Sequence, residues 1–446
     1  MERSVQDVII VGAGMAGLAA AYRLAAAGVR RLTIVEAGEP LGLTSRMGTE
    51  AYRNWWPDPA MTRWMNRSID LLEAIDRRSG GAIGLTRPGY LFVANTPAAL
   101  DGLVARAEAA SAWGLGPLRR HPGAEAYVPA SDGIAGCPDG ADLLLGDALR
   151  GRFPFLGPAA TAGLHVRRCG FVSALGLGTW LLDQARAMGA TLRRGRVCAV
   201  EQRGGRVSGV RLESGERIAA GVVIAAVGPH LRDFARLLDL ELDVRCELHG
   251  KVTVFDAPEV LPTGAPLTIW NEPVRLEWSA EEAAALAADP RRRGWLGELP
   301  PGVHLRRRGR DVQIIWTFER ELIERPTWPP PFDPGLREVL IRGAAAMLPA
   351  MRGRFGRGEE AALDGGYYCK AADNRPLVGP LAVEGAYVLG ALSGFGIMGS
   401  QAAAELLAAQ LVGGRPEVDP AVADPRRLNA PGFAARAAAE AGSGQL

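Results

Sequence analysis

A short apolar segment that stops at a glycine-rich turn constrains the fold of this chain more than any other feature. Residues 8–11 are apolar and β-branched, as in a buried parallel strand, and they lead into Gly12-Ala-Gly-Met-Ala-Gly17. An Ala/Leu-rich helix follows and closes at Gly28, and a second apolar run, residues 32–35, ends at Glu36. This order of strand, G-x-G-x-x-G, helix, strand and acidic residue predicts a βαβ unit that binds a dinucleotide.

Each glycine of the motif has a physical role in this interpretation. Gly12 permits the tight turn, Gly14 lets the backbone approach a pyrophosphate, and Gly17 lets the helix pack closely on the strand. The helix N-terminus offers N–H groups and a partial positive charge to the phosphates, while Glu36 can accept hydrogen bonds from ribose hydroxyls. The alternative is an ordinary βαβ packing unit, since the chain contains 57 glycines. We expect the following residues of this unit to contact the cofactor: Gly12, Gly14, Met15, Ala16, Gly17, Glu36 and Ala37.

Length and composition limit the class of protein. A chain of 446 residues suggests two domains, and 48% hydrophobic residues with a net charge of +2 describe a soluble globular protein. This charge indicates no nucleic-acid partner, and no apolar span is long enough for a membrane helix. The N-terminus runs directly into the first strand, so we expect no signal peptide and a cytoplasmic location. The five cysteines are scattered and predict neither disulfides nor a zinc site, and we expect no metal.

Only two of the 51 basic residues are lysines, Lys251 and Lys370. A lysine ammonium is compact and changes its pKa readily on burial, which an arginine does not. One hypothesis is therefore that the chain keeps these two lysines for a function near the active site. The other is that they merely survive a bias in nucleotide composition.

The order of elements predicts an α/β fold with a discontinuous nucleotide domain. Residues 387–390 form a second apolar strand that ends in a glycine-rich turn, followed by an Ala/Leu-rich helix to about residue 412. We therefore predict a Rossmann-like domain built from residues 1–86, 164–240 and 346–446. Residues 87–163 and 241–345 are predicted to form an inserted substrate domain with a mixed β-sheet and helices (α+β).

Four motifs in this order resemble the D-amino-acid oxidase/sarcosine oxidase superfamily of FAD enzymes, which includes glycine oxidases and proteins like dimethylglycine dehydrogenase. They are the N-terminal turn, Ala226-Val-Gly-Pro, Asp373-Asn-Arg-Pro-Leu-Val-Gly-Pro and Gly390-Ala-Leu-Ser-Gly-Phe-Gly-Ile-Met. The resemblance implies an FAD-binding domain and an inserted sheet that covers its flavin. It also implies oxidation of the C–N bond of a secondary or tertiary amine, or of an N-substituted amino acid, with a hydride equivalent passing to flavin N5 and an imine as product.

The resemblance also implies which residues meet cofactor and substrate. Arg53 matches a position that pairs with the substrate carboxylate, although it could instead bond local carbonyls or Glu50, and Tyr368 matches an active-site tyrosine. We predict Arg53, Tyr368, Lys370 and Lys251 as catalytic residues. Besides the residues of the first turn, the implied FAD contacts are Thr44, Ser45, Val197 (through its backbone), Ala226, Gly228, Gly394, Phe395, Gly396, Ile397 and Met398.

Departures from the superfamily pattern leave the substrate and the electron acceptor open. Met398 stands where sarcosine oxidases place a second, cationic carboxylate ligand, and Gln313 and Thr317 occupy the strand that carries their oxygen-activating lysine and a histidine. Gly366 replaces the cysteine that tethers flavin, so we expect non-covalent FAD, although Cys369 lies close by. The partners expected are a small amine and either oxygen or another electron acceptor, with the oligomeric state open. Alternatives are a 2-hydroxy-acid oxidoreductase, a flavin hydroxylase and a non-catalytic flavoprotein subunit.

Overall fold

The structure is a computed structural model that describes residues 7–121, 123, 125–129, 133–318 and 321–440. The strands are β1 Val8–Val11, β2 Leu32–Glu36, β3 Ala51–Arg53, β4 Tyr90–Ala94, β5 Leu118–His121, β6 Ala141–Leu145, β7 Ala162–Val166, β8 Cys169–Phe171, β9 Thr191–Arg194, β10 Val197–Arg203, β11 Arg206–Leu212, β12 Arg217–Ala219, β13 Val222–Ala225, β14 Val244–Val254, β15 Leu267–Trp270, β16 Val274–Arg275, β17 Glu298–Leu299, β18 His304–Arg308, β19 Asp311–Ile315, β20 Leu322–Ile323, β21 Ala361–Ala371, β22 Leu377–Pro380 and β23 Ala386–Gly390. The α-helices are α1 Met15–Ala26, α2 Thr44–Met47, α3 Pro59–Arg78, α4 Pro97–Ala110, α5 Gly146–Arg152, α6 Ala174–Ala187, α7 Leu231–Arg236, α8 Ala280–Ala288, α9 Leu336–Ala344, α10 Gly396–Val412 and α11 Phe433–Glu440.

A mostly parallel sheet carries the first glycine-rich turn. Its strand order is β22-β23-β13-β1-β2-β9, with β1 parallel to both β2 and β13, and β22 antiparallel to β23. Helices α1, α3, α6 and α10 bury their apolar faces in one core with alternate residues of these strands. The predicted βαβ unit and its Rossmann-like setting are confirmed.

A larger mixed sheet has the order β20-β14-β19-β18-β15-β4-β7-β6-β5, and β21 pairs along the whole of β14. Successive side chains of a strand point to opposite faces of the sheet, so every second residue of each strand lies on the same face. One face is apolar and packs against α9, with Val252, Leu305 and Ile314 fully buried. The opposite face begins under α4 with Tyr90 and Phe92 and becomes polar along β18, β14 and β21. This polar face carries much of the candidate site.

The larger sheet takes in residues that the sequence assigned to the nucleotide domain. Strand β21 lies in the predicted segment 346–446 but pairs with β14, and β7 begins at Ala162, ahead of the predicted boundary at 164. The β21 sequence, Ala-Ala-Leu-Asp-Gly-Gly-Tyr-Tyr-Cys-Lys-Ala, lacks the alternation of apolar and polar residues that marks a strand. The domain limits therefore stay a prediction.

No helix in the described ranges is long and apolar enough to cross a bilayer.

Candidate active site

The first glycine-rich turn has the geometry that a pyrophosphate requires. Gly12 has φ +103°, and a Cβ there would lie 2.9 Å from the carbonyl carbon of Ala226, so the turn accepts only glycine at this point. Gly14 caps α1 without any side-chain bond, and the Met15 N–H at the start of the helix donates to Ser45 Oγ at 3.0 Å. A helix N-terminus that already faces a hydroxyl oxygen suits the oxygens of a dinucleotide. Ala226, Met15 and Ser45, all predicted as FAD contacts, thus lie together.

Glu36 lies at the tip of β2, beside the same turn. Its carboxylate accepts hydrogen bonds from the Ala13 N–H at 2.7 Å and the Gly38 N–H at 2.8 Å, which fix its orientation. The Gly195 N–H donates to the backbone oxygen of Glu36 at 2.8 Å, and this contact brings Val197, two residues further on, towards the same edge. The arrangement suits the ribose and adenine end of a dinucleotide.

The second glycine-rich turn joins β23 to α10 in an unusual backbone conformation. Ala391 and Ser393 have φ values of 51° and 46°, which side-chain-bearing residues rarely adopt, and the Ser393 N–H donates to the Cys369 carbonyl at 2.9 Å. At Gly394 an added Cβ would lie 2.7 Å from Cζ of Tyr368. The turn is therefore fitted tightly against β21, and Gly394, two residues before α10, lies against the Tyr368 ring.

A pocket of about 60 Å³ lies between this turn and the polar face of the larger sheet. Five of the residues predicted from the resemblance line it, namely Arg53, Tyr368, Gly394, Phe395 and Met398. Among the described residues that line it, none is acidic. The remaining lining residues are Thr49, Ala51, Tyr90, Leu267, His304, Thr317 and Ser393.

Arg53 is the cation of this pocket, with only 5% of its surface exposed. It donates through Nη1 to the Trp55 carbonyl at 2.8 Å, and its guanidinium lies 4.4 Å from the centre of the Trp56 ring. Burial lowers the pKa of Arg53, but an arginine stays charged in proteins. The carbonyl bond matches one part of the structural alternative for this residue. Glu50, the other partner considered, lies 3.5 Å from Arg308 and 3.9 Å from Arg306.

His304 lines the same pocket and was not anticipated from the sequence. Its Nδ1 lies 2.8 Å from the Gly302 carbonyl, which can only accept, so Nδ1 carries the proton and Nε2 is an acceptor. Burial, with a contribution from the Arg53 cation, lowers the pKa of His304 to about 4. The imidazole is therefore neutral at physiological pH. Its place in the pocket follows from the pairing of β18 with β19 and β15, which the sequence did not reveal.

A buried polar cluster lies behind Tyr368. The Lys370 ammonium forms an ion pair with Glu247, and Glu247 also lies 3.2 Å from Nε2 of His249. Burial would raise the pKa of Glu247, but hydrogen bonds from His249 and Lys370 outweigh it and lower the pKa to about 2. The His249 ring centre lies 4.4 Å from that of Tyr368. The cluster thus contacts the pocket through one of its walls.

Lys251 has a different environment from Lys370. It lies 3.2 Å from Asp364, whose side chain is 40% exposed. Neither lysine is among the described residues that line the pocket. Direct roles for Lys370 or Lys251 at the flavin stay predictions.

Two of the positions that differ from the sarcosine oxidase pattern, Gln313 and Thr317, lie on β19 and just after it. Thr317 lines the pocket, and Gln313, on the preceding strand, is paired with Thr253 on the polar side of the sheet. The Gln313 Oε1 is buried and has no hydrogen-bond partner among the described residues.

The other predicted cofactor contacts are distributed around the two turns. Gly366 lies against Thr44, since an added Cβ would lie 3.2 Å from its Cγ2, and Thr44 Oγ1 donates to the Tyr367 carbonyl at 3.4 Å. Cys369 follows Tyr368 on β21 and therefore faces the opposite side of that strand. The remaining predicted positions stand in the first turn of α1 or α10, or at the ends of β2 and β13: Ala16, Gly17, Ala37, Gly228, Gly396 and Ile397.

Comparison with known proteins identifies relatives over almost the whole chain. A profile of the FAD dependent oxidoreductase family matches residues 7–410. Mitochondrial dimethylglycine dehydrogenase of Mus musculus is 27% identical over 95 residues, which are 21% of this chain and 11% of that protein. This chain therefore aligns with only a small part of the curated relative.

Solved structures share the fold at low identity. L-proline dehydrogenase from P. horikoshii superposes with a TM-score of 0.72 at 18% identity, covering 95% of this chain and 97% of the other. Iminodiacetate oxidase from Chelativorans sp. BNC1 gives a TM-score of 0.69 at 19% identity, covering 94% and 98%. At these identities the similarity establishes the fold alone.

Proposed function

Because this chain belongs to the FAD-dependent oxidoreductase family, we propose that it oxidises the C–N bond of a secondary or tertiary amine that carries a carboxylate. The enzyme class and the FAD cofactor follow from the family. The bond that is oxidised and the type of amine are the proposal.

One observation supports the proposal most strongly, which is the buried Arg53 cation beside Tyr368 at the start of α10. A buried guanidinium is well suited to a carboxylate, which it can bind through two parallel hydrogen bonds. The positive end of α10 lies at the same pocket, where charge that develops on a flavin ring would be stabilised.

FAD, when bound, supplies the acceptor for the hydrogen and the two electrons that leave the carbon next to nitrogen. Arg53 binds the carboxylate and so fixes that carbon relative to the turn at Gly394. His304 offers an acceptor at Nε2 to the N–H of a secondary amine. The walls formed by Tyr368 and Phe395 exclude water from the reacting carbon.

The charge of the pocket favours the neutral amine, which is the form that can be oxidised. A protonated amine finds no acidic side chain among the described lining residues, and it meets the Arg53 cation and a neutral His304. Because the substrate carboxylate offsets the Arg53 charge, it is burial without an acidic partner that disfavours the ammonium form. We therefore expect the pocket to favour the neutral amine.

Three similar proteins have names that point to a secondary or tertiary amine, whereas glycine oxidase and L-amino acid deaminase are named for primary amines. Dimethylglycine is a tertiary amine, and proline and iminodiacetate are secondary amines, and each carries a carboxylate. Transfer of this preference to the present chain is part of the proposal.

The test is an anaerobic screen that follows the loss of visible flavin absorbance. Sarcosine, N,N-dimethylglycine, proline and iminodiacetate are compared with glycine, lactate and NADPH. We expect bleaching by at least one secondary or tertiary amine and a slower reaction with glycine. Bleaching by lactate alone would contradict the proposal and favour 2-hydroxy-acid oxidation, and rapid bleaching by NADPH alone would favour a hydroxylase.

A further inference from the structure

We infer that the substrate carries an aromatic side chain, which lies in a second chamber next to Arg53. This inference rests on the proposed function and specifies its substrate class as N-substituted α-amino acids with an aromatic ring.

The chamber lies between α4, the larger sheet and the segment that follows β3. Its volume is about 400 Å³, against about 60 Å³ for the pocket at Tyr368. Arg53 lines both spaces, so a group bound at the Arg53 side chain lies next to both. The described residues that line the chamber are Arg53, Trp55, Trp56, Pro57, Phe92, Ala105, Arg106, Ala109, Trp113, Ile269, Asn271, Pro301 and Gly302.

Aromatic rings form the walls of this chamber. Trp55 packs on Phe92 with ring centres 5.2 Å apart, and Trp56 stacks on the Arg53 guanidinium at 4.4 Å. Trp113, near the end of the helical segment that continues α4, contributes a further ring. Aromatic walls favour flat apolar groups, which gain both buried area and edge-to-face ring contacts.

The size and charge of the chamber narrow the class of ligand. A cavity of about 150 Å³ holds a benzene ring, so this chamber has room for one with a short linker. None of its described lining residues is acidic, whereas Arg53 and Arg106 are cations. A polyamine or another cationic side chain is therefore disfavoured by charge, while a neutral aromatic group meets no like charge and is favoured by the aromatic walls.

The pocket at Tyr368 suits the other end of such a substrate. Its small volume fits a carboxylate, an amine nitrogen and one small N-substituent, but not an aromatic ring in addition. A larger side chain has to leave this pocket, and we place it in the chamber because Arg53 lines both spaces.

The first experiment compares N-methyl-DL-phenylalanine with sarcosine in anaerobic reduction of the FAD-loaded enzyme. We expect the rate constant divided by the dissociation constant to be at least about tenfold higher for the phenylalanine derivative, a difference of about 1.4 kcal/mol. Equal values, or a preference for sarcosine, would overturn the inference.

The second experiment is independent of turnover. Binding of 3-phenylpropionate and of propionate is measured from the change in the visible flavin spectrum, with tryptophan fluorescence as a second readout. We expect 3-phenylpropionate to bind at least about tenfold more tightly. If no amine reduces the enzyme but this preference holds, the proposed function fails while the aromatic site stands. Equal binding of the two acids overturns the aromatic site.

Two variants of α4 test whether the aromatic ring of the ligand lies in the chamber. Ala109→Leu adds volume inside the chamber, whereas Ala98→Leu makes the same change at an exposed position of α4 that does not line it. Ala109→Leu should reduce the preference for 3-phenylpropionate over propionate at least about fivefold, and Ala98→Leu should leave this preference unchanged. Equal effects of the two variants would show that the ring binds elsewhere.

Discussion

Replacing Lys370 with methionine should destabilise the protein because it leaves Glu247 charged and buried. Lys370 and Glu247 each expose only 4% of their surface. Lys370 is one of the groups that lower the pKa of Glu247 from its ordinary value of 4.5 to about 2. That difference corresponds to about 3 kcal/mol at 1.36 kcal/mol per pKa unit. Breaking a buried ion pair costs about 3–5 kcal/mol, and because His249 still bonds Glu247 we expect a loss of about 2–4 kcal/mol.

The measurement is urea-induced unfolding in excess FAD, followed by circular dichroism. The lowered pKa means that Glu247 stabilises the parent fully above pH 4.5, and that this contribution falls as the pH approaches 2. The difference between parent and Lys370→Met should therefore be largest at neutral pH and shrink below pH 4.5. The double variant Lys370→Met/Glu247→Gln should recover at least half of the loss, since its buried carboxylate is gone.

Lys251→Met is the matched control, as it removes the other lysine from a pair with the 40% exposed Asp364. Lys251 and the Asp364 Oδ1 that faces it are buried, but 40% of the Asp364 side chain is exposed and water can solvate part of its charge, so the expected cost is about 1 kcal/mol, less than for Lys370→Met. The reasoning is refuted if Lys370→Met is as stable as Lys251→Met, or if the double variant recovers nothing. The predicted role of a lysine at the flavin has a separate signature, which is a slower reaction of the reduced enzyme with oxygen that Glu247→Gln does not restore.

Further predictions concern the cofactor and Arg53. Acid precipitation should release FAD into the supernatant, and flavin that stays with the pellet would contradict non-covalent binding. Glu36→Ala should weaken FAD binding to the apoprotein by about 1–3 kcal/mol, and an unchanged titration would remove Glu36 from the ribose. Gly394→Ala should cost about 1–3 kcal/mol in unfolding free energy by displacing Tyr368, whereas Gly396→Ala, where an added Cβ has its nearest neighbour at 3.8 Å, should cost little. Arg53→Leu should raise the KM of an amino acid far more than that of its amide, and an equal increase would indicate a structural role.

The parts of the site that the sequence predicts well are those encoded by a few neighbouring residues. The first turn and Glu36 form a local motif whose backbone conformation depends on glycines within one βαβ unit. Arg53 and Tyr368 have no such local signal, and only the resemblance to a family placed them at the substrate.

The residues that the sequence did not predict are brought near the pocket by strand pairing. His304, Glu247 and His249 are single polar residues in strands of a sheet, and each is equally compatible with a solvated surface. Their side chains reach the site because β14, β18 and β21 place them on the same face of the larger sheet. Because apolar and polar residues do not alternate clearly in β21, the sequence did not indicate a strand of the larger sheet there, and β21 was assigned to the other domain.

The order of strands in the smaller sheet has a consequence for synthesis of the protein. Strand β1 starts at Val8, but β23, which pairs with its neighbour β13, ends at Gly390, and the turn at Gly394 follows it. At about 5–20 residues per second, a ribosome makes β23 about 20–80 s after β1. The N-terminal βαβ unit must wait through that interval without the turn at Gly394, where we predict the other FAD contacts. If both turns hold FAD, the cofactor binds with full affinity only after the second turn has been made, so FAD affinity would distinguish chains that contain this turn from chains that stop before it.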